Sequence, residues 1–98
     1  MQKIQTKSGF VWDVDERKAA DWDFVCSLVE CDSPDDTTRI KASTACVLML
    51  LGKEGAAALA EHVKDKDGIK STAKVFAEFK EILNLLGEKT KKSQSSQE

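Results

Sequence analysis

Apolar residues recur along this 98-residue chain with two different periods, and the change between them marks where strands give way to helices. Over residues 3–14 the period is two. Ile4 and Thr6 alternate with polar neighbours, Lys7-Ser8-Gly9 supplies turn chemistry, and Phe10, Trp12 and Val14 share one face of the second arm. Alternation on both sides of a Gly-containing turn predicts a β-hairpin. Two strands are marginal alone, so the apolar face of this hairpin is expected to lie on helices.

Further along, the period lengthens to that of a helix. A first helix is expected to start near Asp15 or Asp21 and to run to Cys31. Trp22, Val25, Cys26 and Val29 form its stripe at i, i+3, i+4, i+7. Phe24 and Leu28 fall off that stripe, so about half of the circumference is apolar, more than one core-facing seam needs. Ser33 as N-cap, Pro34 at the first helical position, and Asp35 and Asp36 in the first turn predict a second helix. It runs to Leu51 and stops at Gly52, and its second half, from Ala45 on, is apolar on all sides, as in a central buried element.

Gly52 and Gly55 bracket a break, followed by a short helix from Ala56 to Lys64 with Leu59, Ala60 and Val63 inward. Asp65 to Gly68 reads as a turn, and Ser71 or Thr72 caps a last helix. Val75, Phe79, Ile82, Leu83 and Leu86 share one face of that helix, with Glu78 and Lys80 on its wet side. After Gly87 the chain reads EKTKKSQSSQE, with nothing apolar to bury. The expected fold is mainly α: one domain over residues 1–87 of about four helices with a short N-terminal β-hairpin, then a disordered polar tail over 88–98.

Composition narrows the function classes. With 41% apolar and 33% charged residues the chain can bury a core without disulfide or metal staples. A net charge of -2 leaves no basic excess to neutralise phosphates, which argues against a nucleic-acid binder. The longest apolar run, Ala45 to Leu51, is far short of the ~18 residues that cross a bilayer. The start, MQKIQTKSG, lacks the apolar core of a secretory signal, so a cytoplasmic location is expected. Of three cysteines, Cys26 and Cys46 fall in apolar helical stretches and are expected to be buried thiols.

Candidate chemistry is sparse. Placing Gly68 at position 6 of an EF-hand loop aligns Asp65 and Asp67, but puts Val63 and Lys74 where oxygen ligands are required. Cys26 and Cys31 lie on different sides of a helix, and His62 is the sole histidine, so no zinc set forms. Gly52 and Gly55 lack the strand and the Lys-Ser/Thr pair of a phosphate loop. No metal, no cofactor and no catalytic residue is expected. What remains is surplus apolar surface at Phe24, Leu28, Met49 and Leu50. Either four helices and a hairpin consume all of it in one core, or it forms an exposed groove for a partner's amphipathic helix.

Four motifs, in order, carry a resemblance. They are Ser8-Gly9-Phe10 with Trp12-Asp13-Val14-Asp15; Asp21-Trp22-Asp23-Phe24; Leu51-Gly52-Lys53-Glu54-Gly55; and Glu61-His62-Val63-Lys64-Asp65-Lys66-Asp67-Gly68. Across residues 3–87 the chain resembles the tail assembly chaperones of long-tailed, non-contractile phages and prophages. The junction Gly68-Ile69-Lys70-Ser71-Thr72 departs from relatives that carry a Pro there, and residues 33–43 are more polar than the family pattern.

The resemblance implies a non-enzymatic protein of the bacterial host cytoplasm. Its partner would be the long helical tape-measure protein, with the major tail protein and self-association as further candidates, and without nucleic acid or membrane. The family often also makes a longer, frameshifted form. For a partner surface the residues at the edges of the helix stripes, Phe24, Leu28, Met49 and Phe76, are the candidates. Two other classes fit the same residues: a structural tail-completion or head–tail connector protein, and a small host protein-interaction module.

Overall fold

A computed structural model describes the backbone of residues 1–94 and the side chains of residues 1–87. Strands β1 (Gln2–Gln5) and β2 (Val11–Val14) are followed by a 3-10 turn (Glu16–Ala20) and helices α1 (Trp22–Glu30), α2 (Asp36–Val63) and α3 (Thr72–Gln94). The expected mainly α domain with an N-terminal hairpin is what the chain forms.

The hairpin is antiparallel, with Ile4 opposite Trp12 and Gln2 opposite Val14. Its turn closes where Gly9 N–H donates to the Thr6 carbonyl at 3.0 Å and Thr6 N–H donates to the Phe10 carbonyl at 2.9 Å. Ile4, Thr6, Phe10 and Val14 are buried on one face, as the period-two pattern predicts. The Phe10 and Trp12 rings stack at 6.2 Å between centroids.

Helix α2 contains the break expected at Gly52, whose φ of 76° and ψ of 174° belong to a region open essentially to glycine alone. It therefore consists of two helical pieces, 36–51 and 53–63, which with α1 and α3 give the four expected. By length and composition α2 could cross a membrane, but Cys46, Val47, Leu50, Leu51 and Leu59 are instead buried in the protein core. At Gly55 the Trp12 indole lies so close that a Cβ would fall 2.8 Å from Nε1. Glycine there lets the hairpin seat on the second piece of α2. Phe24 of α1 and Phe79, Ile82 and Leu86 of α3 complete the core.

The start of α2 differs from expectation by two residues. Asp35, not Ser33, is the N-cap, its carboxylate accepting from Thr38 N–H at 2.8 Å and from the Thr38 hydroxyl at 2.7 Å. A charged acceptor at a helix N-terminus outcompetes a serine hydroxyl, which here accepts from Asp35 N–H instead. At the other end, Ser71 caps α3 by accepting from Lys74 N–H. The α3 backbone continues through Gly87 to Gln94, past the expected domain end, on residues with good helix propensity. The rest of the expected tail, 95–98, lies outside the described residues.

Candidate functional site

Helix α1 settles the fate of the surplus apolar residues. Its N-cap, Asp21, accepts from Asp23 N–H at 3.1 Å and Phe24 N–H at 3.3 Å. The helix then turns Phe24 into the core, with Leu28 and Cys31 half-buried beneath it. These three residues also follow helical spacing, at i, i+4, i+7. The expected stripe is therefore on the wrong side. Trp22 is 77% exposed, Val29 69% and Val25 37%, and Cys26 is exposed as well. Periodicity fixes the period of a helix but not its phase when half of the circumference is apolar. Packing on α2 then decides which stripe is buried, and it is the one with Phe24.

The candidate partner residues are redistributed accordingly. Phe24, only 1% exposed, belongs to the core. Leu28 and Phe76 are brought together in one cleft of about 280 Å³ toward the C-terminal end of α1, beside Cys31, Ser43 and Phe79. Met49 lies elsewhere, under a cleft of about 520 Å³ toward the N-terminal end of α1, with Asp15, Arg17, Lys18, Asp21 and Asp23 around it. All three are half-buried and support the core.

Charge is distributed unevenly around the exposed face. From Lys18 to Arg39 the chain has no lysine or arginine between, but it has Asp21, Asp23, Glu30, Asp32, Asp35 and Asp36. Asp36 pairs with Arg39, and Asp21 and Asp35 are spent on helix caps. Asp23, Glu30 and Asp32 are exposed and make no side-chain hydrogen bond or ion pair among the described residues. Asp23 and Glu30 stand about 100° from the middle of the stripe on one flank, and the two ends of α1 carry Asp21 and Asp32. Nearby, Arg17 donates from Nε (3.0 Å) and Nη2 (2.9 Å) to Asp15. Those bonds hold the Asp15 carboxyl down to about 2 and neutralise that arginine locally.

A polar cluster that the sequence did not reveal ties the hairpin turn to α2 and α3. Glu78 Oε1 accepts from Ser8 Oγ at 2.7 Å and from Thr6 Oγ1 at 2.8 Å, and His62 Nε2 lies 2.9 Å from Ser8 Oγ. Lys7 N–H donates to Glu81 at 2.7 Å. Glu78 is thus half-buried and engaged rather than on a wet face. Since the single Ser8 proton goes to Glu78, His62 is the donor to Ser8. A hydrolytic triad needs the reverse: the imidazole takes the serine proton and the carboxylate orients the imidazole. The cluster is arranged as a clamp on the hairpin.

The cysteines separate by environment. Cys46 is fully buried, with its Sγ 3.8 Å from that of Cys31. Burial, followed by the neighbouring thiol, pushes its pKa up to about 12. Cys26, expected to be buried, is instead in the exposed stripe. Among the described residues, no group of three or more His, Cys, Asp or Glu side chains is placed to hold a metal ion. No family model, curated protein or solved structure matches the chain.

Proposed function

We propose that the chain is a phage tail assembly chaperone that binds the tape-measure protein and keeps it dispersed while the tail tube is built. One observation supports this reading above the others: a folded domain of this size leaves Trp22, Val25, Cys26 and Val29 in a row on the outside of one helix. An exposed tryptophan flanked by branched aliphatics has no role in the stability of its own domain and is typical of a partner surface. A tape-measure protein is long and helical with apolar stripes, and a helper with a matching face would shield such stripes until assembly. The sequence motifs that resemble the chaperone family support the same reading.

The test is co-expression with the tape-measure gene that this reading expects beside this one. The chaperone reading expects the tape-measure product to move from the pellet to the soluble fraction and to co-purify with this chain. Unchanged solubility together with no co-purification would refute it. Detection of the chain at stoichiometric levels in finished virions would favour a structural tail or connector component.

A further inference from the structure

We infer that the outer face of α1 is the docking site, and that its occupant is an amphipathic helix whose apolar stripe is flanked by lysine or arginine. This rests on the chaperone reading for the identity of the partner, but the chemistry of the face stands by itself. Trp22 to Val29 spans eight residues, or about 10 Å along the axis, so the contact is about two turns of a partner helix. Trp22, the most exposed of the four stripe residues, is the anchor.

Charge selects the occupant. Asp23, Glu30 and Asp32 border the stripe and form no ion pair among the described residues; Lys18 lines the same cleft as Asp23 and Lys80 the same cleft as Asp32, so the rim, with Asp21 beside them, is net acidic without being bare of cations. A second copy packed α1 to α1 would bring its own acids against them, and an anionic lipid surface or nucleic acid would be repelled. A helix with cations on its flanks would pair with them. Such rim pairs are individually weak, but two or three together set register and discriminate between partners.

Three synthetic helical peptides test this. They share one apolar stripe at i, i+3, i+4, i+7 and differ only in whether its flanks carry Lys, Gln or Glu. Binding to the full chain is expected in the order Lys, Gln, Glu, with at least about tenfold between first and last. That preference should shrink as salt rises from about 0.05 M to about 0.5 M. Trp22→Ala should weaken the Lys-flanked peptide by about thirtyfold with an unchanged circular dichroism spectrum. Asp23→Lys combined with Glu30→Lys should invert the order.

Equal binding of all three peptides, or an order unmoved by the double reversal, overturns the inference. So does binding unaffected by Trp22→Ala. If Trp22→Ala instead converts a sedimenting dimer to monomer, or abolishes binding to phosphatidylglycerol vesicles, the occupant is a second copy or a membrane and the proposal fails. Co-purification with the tape-measure product alongside absent peptide discrimination sinks the inference alone. Discrimination without co-purification sinks the chaperone reading alone.

Discussion

Phe24 and Trp22 are two residues apart, about 200° around α1, and the structure gives them opposite fates: 1% and 77% exposed. Truncating each to alanine asks which way the helix faces. Phe24→Ala removes a ring buried in the core where α1 packs on α2, a change that costs ~3–5 kcal/mol. A domain of this length has roughly 5–15 kcal/mol of stability in all, so the variant is left barely folded. Urea titration followed by circular dichroism should show the midpoint fall by roughly 1–5 M at an m-value of ~1–3 kcal/mol/M. Phe24→Leu retains most of the volume and should lose about 1 kcal/mol, a variant that stays measurable if the alanine one does not fold. Trp22→Ala removes a side chain already in water and should move stability by no more than ~0.5 kcal/mol. A Trp22→Ala loss above about 2 kcal/mol with a near-neutral Phe24→Ala would mean that α1 is rotated by half a turn. The apolar face would then be inside, and the partner surface argued from it would not exist.

Gly55→Ala should destabilise by ~1–3 kcal/mol, because its Cβ would lie 2.8 Å from the Trp12 indole and the hairpin would have to lift off α2. Urea unfolding reads the loss, and an unchanged midpoint would contradict the seating of Trp12. Stability against pH should be flat above about 5 and fall from about 4 toward 2. Asp15, Asp35 and Glu61 all have pKa values lowered in the fold, so their contribution is present above the unfolded values and lost as they protonate. Asp15→Asn should make that acid limb shallower, whereas a limb that rises on acidification would refute the assignment. Diamide should oxidise Cys31 and Cys46 to an intramolecular disulfide, each thiol giving up one hydrogen to the reagent, because their sulfurs are 3.8 Å apart. Closing a loop of about fifteen residues should stabilise by ~3 kcal/mol. Exclusive pairing through Cys26 would contradict the geometry.

Much of the architecture was legible from residue order. Period-two alternation placed the hairpin, the Gly52 break and the Asp-Lys-Asp-Gly turn placed the helix ends, and Val75, Phe79, Ile82, Leu83 and Leu86 of α3 face the core as their spacing predicts, although Glu78 does not stay on the wet side. Each of those readings rests on a local rule that tertiary packing reinforces. The phase of α1 was not legible, since Trp22, Val25, Cys26 and Val29 compete with Phe24, Leu28 and Cys31 as equally regular stripes. Only packing against α2 and the 3-10 turn decides between them. For the same reason Phe24, off the expected stripe of α1, lies in the core with Leu28 half-buried against it, and Trp22, Val25, Cys26 and Val29 lie outside. The Ser8–His62–Glu78 clamp was hidden because it joins three elements far apart in sequence. The absence of any lysine or arginine between residues 18 and 39 was visible from the start, and it is the one sequence signal that marks the exposed face.

Cys26 sits in that face and reports on it directly. Maleimide alkylation, read by peptide mass mapping, should modify Cys26 rapidly in the isolated chain and slowly in the complex co-purified with the tape-measure product. Equal Cys26 reactivity free and bound would show that the partner leaves this face uncovered.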